Sequence, residues 1–113
     1  MWHEFDQIVE NRIAIIRSSL QAKGKEYASE NDRLASFKRM AAMSHCTPQR
    51  AWLGVAVKPI QSLLDMVSSG KDYPITMWEE KIKDSINYCI LLEGLLHEHV
   101  LDALKKEESD AHT

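Results

Sequence analysis

Two stretches of the chain carry residues that could do chemistry together: KGKEYASENDRLASFKRM, residues 23–40, and WEEKIKDSINYCI, residues 78–90. The first places Glu26, Glu30 and Asp32 between Lys23 and Lys25 upstream and Lys38 and Arg39 downstream, with Tyr27 and Phe37 among them. Oxygen donors of this kind hold a hard dication such as Mg²⁺, and cationic side chains beside them hold phosphate. The second stretch sets Glu80 and Asp84 four apart, with Asn87 on the same helical stripe. Like charges at that spacing repel by a few tenths of a kcal/mol, and a bound Mg²⁺ reverses the sign of that effect. A solvated helix connection accounts for the first stretch equally well, and a solvent-facing acidic edge for the second.

Other polar residues stand out against apolar surroundings. Lys58 and Asp65 are the only charges between Ala51 and Ser69, seven apart on one helix face. They form either a buried ion pair, since lone buried charges are costly, or part of a polar cavity. Arg12 and Glu93 interrupt the apolar faces of their segments. They are candidates to pair with each other, or to face a ligand as guanidinium and carboxylate. His97 and His99 fall on different helix faces, and no third ligand follows Glu93 and His97, so zinc is not indicated. There is no glycine-rich phosphate loop and no Ser-His-Asp or Cys-His pattern. The tryptophans Trp2, Trp52 and Trp78 read as anchors of a core or an interface.

Composition bounds the classes. The chain has 113 residues, 44% hydrophobic and 27% charged, a net charge of −3 and a pI near 5.9. That is one globular domain without the basic surplus of a nucleic-acid binder. No apolar run reaches the roughly 20 residues of a membrane span, and MWHEFDQIVE does not read as a signal peptide. With Cys46 and Cys89 the only cysteines, a disulfide framework is not expected and a cytoplasmic setting is.

The elements that must position these residues are helical throughout. Phe5, Val9, Ile13, Ile16 and Leu20 mark one face of a first helix, with a stop at Gly24. A second helix is predicted from Asn31 or Asp32 to about Ser44, with Leu34, Phe37 and Met40 or Ala41 inward. Thr47-Pro48 opens a third, running to Ser69 with a kink at Pro59 and a stop at Gly70. Thr76-Met-Trp-Glu79 reads as a capping box for a fourth, reaching about Lys106. Residues 1–106 are therefore expected to form a single all-α domain, an antiparallel bundle of four principal helices with a long C-terminal helix, and residues 107–113 a frayed tail. A wide apolar arc on the fourth helix predicts a homo-oligomer, with Val100, Leu101 and Leu104 at the interface.

The segments KEYASENDRLASFKR, AVKPIQSLLDM and EEKIKDSINYCILL, in this order, resemble small phage-encoded helical proteins of the nucleotide-modification-associated group. More distantly they resemble the MazG-type all-α nucleoside triphosphate pyrophosphohydrolases. The matching positions are Tyr27, Asp32, Phe37, Lys58, Asp65, Glu80, Asp84, Asn87 and Tyr88. Glu80 and Asp84 are spaced as Glu-x-x-x-Asp where MazG-type enzymes carry Glu-x-x-Glu and Glu-x-x-Asp. The resemblance implies a nucleotide-binding protein in the cytoplasm of a bacterial host. As a hydrolase it would hold Mg²⁺ through Glu26, Glu30, Asp32, Glu80 and Asp84, and a metal-bound water would attack phosphorus. Arg12, Lys25, Lys38 or Lys58 would neutralise the phosphates, and Tyr27 or Phe37 would stack the base. The alternative is a non-catalytic oligomer, a phage accessory protein that binds a nucleotide signal or a host protein.

Overall fold

In the computed structural model the backbone is described for residues 2–26 and 34–111, and side chains for 4–21 and 34–111. Four helices form: α1 (Trp2–Glu26), α2 (Ala35–Ser44), α3 (Pro48–Ser69) and α4 (Ile75–Ala111), with no strand among the described residues. The all-α class and the long last helix are as the sequence implies. Among the described residues no helix is long and apolar enough to cross a membrane.

The α2–α3 corner is fixed by local chemistry. His45 adopts the left-handed conformation with φ 53°, and the Cys46 N–H closes the end of α2 on the Ala41 carbonyl at 3.0 Å. Thr47 then caps α3, its hydroxyl oxygen accepting from the Arg50 N–H at 3.1 Å, with Pro48 at the first helical position. Gly70, φ 67°, ends α3 in the conformation that glycine adopts most cheaply. Pro59 lies buried within a continuous α3.

Three boundaries differ from the sequence reading. Helix α1 runs through Gly24 to Glu26, since one glycine costs only about 1 kcal/mol in a helix. Thr76 does not cap α4. The helix starts one residue earlier, and the Pro74 carbonyl accepts from the Met77 and Trp78 N–H groups at 3.0 and 3.4 Å. Helix α4 extends past Lys106 to Ala111. The expected start of α2 at Asn31 or Asp32 lies outside the described residues, where the helix is seen from Ala35.

Directions also differ from a purely antiparallel bundle. Helix α3 opposes α4, joining Trp52 to Tyr88 at one end and bringing Val57 and Lys58 beside Lys81 further along. Helix α1 instead runs with α4, and α2 packs on α3 while its start and Lys38 reach α4. Arg12 meets Glu79 and Ser19 meets Asn87, while Leu34 lies against Gly94 and Lys38 pairs with Glu98. Thus α1 runs along α4, and α3 returns beside it.

The core is small. Leu34, Phe37 and Leu95 are buried together, and Met40, Trp52, Tyr88 and Leu91 pack around them. Among the described residues, helix α1 packs on α4 alone, and the molecule measures 61 × 31 × 27 Å.

Candidate functional site

Helices α3 and α4, which carry the candidates Lys58, Asp65, Glu80, Asp84, Asn87 and Tyr88, meet in a groove of about 550 Å³ lined by Val57, Lys58, Gln61, Ser62, Asp65 and Lys81. Lys58 and Asp65 are both exposed, so the buried ion pair is not formed. Asp65 instead accepts from Gln61 Nε2 at 2.9 Å, the i, i+4 step within α3. Neither Lys58 nor Lys81 makes an ion pair among the described residues. Two ammonium groups from different helices, a carboxylate held by an amide and a hydroxyl thus share one concavity. Cationic groups near one another are suited to a phosphate, and an acceptor beside them to a hydroxyl or amine of the same ligand.

The acidic pair on α4 is differently placed. Lys83 Nζ stands 3.6 Å from Glu80 Oε1 and 3.9 Å from Asp84 Oδ1, so a cation of the fold already offsets their repulsion. No three of His, Cys, Asp and Glu gather as a metal site among the described residues. Of the five expected Mg²⁺ donors only Glu80 and Asp84 have described side chains, and Lys83 stands beside both. Glu30, Asp32 and Tyr27 lie outside the described residues, as do the side chains of Lys25 and Glu26. The register Ser19 to Asn87 puts the end of α1 level with Gly94, about 15 Å along α4 from Asp84 at 1.5 Å per residue.

Several candidate ligand-binding residues serve the fold instead. Phe37 is 4% exposed within the core, so it has no face for a base. Lys38 is tied to Glu98 at 2.8 Å. Arg12 donates to the Glu79 carbonyl at 3.5 Å, whereas Glu93 is exposed and needs no burial partner; the Arg12–Glu93 pair is not formed. The Tyr88 carbonyl accepts from Trp52 Nε1 at 2.6 Å. Asn87 is not on an open stripe with Glu80 and Asp84. It is fully buried, its Nδ2 donating to Ser19 Oγ at 2.8 Å and its Oδ1 without a partner among the described residues. Trp78 meets Tyr73 edge to face, with ring centroids 5.8 Å apart.

The sequence singled out Lys58 and Asp65 but not Lys81, Gln61 or Ser62. Nothing local distinguishes Lys81 from other surface lysines; only the antiparallel register of α3 on α4 brings it beside Lys58. No family model matches the chain, and no curated protein or solved structure matches it either.

Proposed function

We propose that the protein is a non-catalytic binder of a small phosphorylated ligand of the nucleotide class, held in the α3–α4 groove. The supporting observation is the convergence of Lys58 and Lys81, from two helices, on a concavity of about 550 Å³ that also contains Asp65. That volume falls in the range of small-molecule sites, about 300–1,000 Å³. In this reading the lysines hold phosphate oxygens, and Asp65, oriented by Gln61, accepts from a sugar hydroxyl or base amine. A protein that binds without turnover acts by sequestering or sensing its ligand, and no metal is required.

The test is a melting and calorimetric screen of nucleoside mono-, di- and triphosphates, in chelator and in Mg²⁺. Saturable binding in chelator is expected, weakened about tenfold or more by Lys58→Ala or Lys81→Ala, the worth of one charged hydrogen bond. Absence of binding by any nucleotide would overturn the proposal. Mg²⁺-dependent release of pyrophosphate would instead establish the hydrolase reading.

A further inference from the structure

The chain exposes more surface than its mass requires. Its accessible area is 8818 Å², against about 6,300 Å² for a compact monomer of 13.0 kDa. Its radius of gyration is 17.8 Å, where about 13 Å is usual for this length. The excess, about 2,500 Å², exceeds the roughly 800 Å² per partner of a standard interface and reaches the scale of obligate dimers.

Part of the exposed apolar surface lies on α4 and against α1. Beyond Glu98, α4 overhangs its neighbours with Val100, Leu101 and Leu104 each more than half exposed. On the other half of the molecule, α1 and α4 leave a mostly apolar groove of Ile13, Ile16, Leu20, Ile86 and Ile90, with Arg12 and Arg17 also in its lining. Between overhang and groove, the open face of α4 carries Glu93 and His97, both exposed.

The order of these residues identifies the occupant. About a centre at Leu95 the stripe is its own mirror image: Glu93 opposes His97, Ile90 opposes Val100, Cys89 opposes Leu101 and Ile86 opposes Leu104. At 100° per residue all eight fall within an arc of about 120°. An isologous contact requires such self-complementarity, each residue meeting its counterpart twice about a two-fold axis. A parallel in-register pair would instead set Glu93 against Glu93. We infer that two copies of this chain pair through antiparallel α4 helices, the C-terminal overhang of each filling the α1–α4 groove of the other. Glu93 of one chain meets His97 of the partner near the axis. This face is independent of the ligand reading, since Lys81 lies about 140° around α4 from the centre of the stripe.

The experiment uses the full chain. Sedimentation at tens of micromolar, roughly the range in which weak assembly shows, is expected to give twice the 13.0 kDa chain mass; a species of 13.0 kDa would overturn the inference. Val100→Asp with Leu104→Asp should abolish the dimer. Because that variant could also fail to fold, pairing is read independently in a Cys46→Ser, Cys89→Ser background. Chains carrying Ile86→Cys, mixed with chains carrying Leu104→Cys, should form a disulfide-linked dimer on mild oxidation, while neither alone does so. Cross-linking of Ile86→Cys with itself, or none in the mixture, would overturn the antiparallel arrangement.

Discussion

Asn87→Ala isolates one polar contact in the middle of the helical interface. The side chain is 0% exposed, ties α4 to α1 through a 2.8 Å hydrogen bond to Ser19, and leaves its carbonyl oxygen without a partner among the described residues. Four terms set the outcome. Losing the hydrogen bond costs about 0.5–1.5 kcal/mol. The cavity left by a carboxamide costs about 0.5–1 kcal/mol at roughly 24 cal/mol per Å³. Removing an unpaired buried acceptor returns about 1–3 kcal/mol, and alanine in place of asparagine in a helix returns about 0.5 kcal/mol. The gains slightly exceed the losses, so the substitution should be near neutral to stabilising, between about 1 kcal/mol of loss and about 2.5 kcal/mol of gain across the range of these terms. Urea unfolding at fixed protein concentration, followed by circular dichroism, measures it. A loss of about 3 kcal/mol or more would refute the reasoning, because it requires a strong partner on the Asn87 oxygen.

Other outcomes follow from the same geometry. Gly54 sits inside α3 with nothing within 4 Å of an added Cβ, so Gly54→Ala should stabilise by about 0.5–1 kcal/mol; Gly70→Ala, at φ 67°, should destabilise by about 1 kcal/mol, and thermal melts of the two variants should shift in opposite directions. Leu95, 3% exposed, should cost about 2–5 kcal/mol as Leu95→Ala, against less than about 0.5 kcal/mol for Met43→Ala at 83% exposed; equal losses in denaturant titrations would contradict the assigned core.

Much of the fold was legible because it rests on local rules. Thr47-Pro48 caps and opens α3, Gly70 ends it, and of the inward positions expected for α2, Leu34, Phe37 and Met40 or Ala41, the structure buries Leu34 at its cap, Phe37 and Ala41. What was not legible depends on which helix meets which, and in what direction. The same periodicity that marks Asn87 on a stripe with Glu80 and Asp84 cannot say that α1 covers its position and leaves theirs to Lys83. Glu93 looked like a charge in need of a partner because its neighbours are apolar. Those neighbours are themselves exposed within one chain, so its burial is a property of the surface around it. The acidic connection around Glu30 and Asp32 is a matter of types and spacing alone, since it lies outside the described residues.

The ligand groove is tested most directly by backbone amide chemical-shift mapping on isotope-labelled protein titrated with a nucleoside triphosphate in chelator. The expected perturbations cluster on residues 57–65 of α3 and around Lys81 of α4, and saturate together. Perturbations that appear only with Mg²⁺, and that centre on Glu80, Asp84 and residues 26–32, would contradict metal-free binding in that groove.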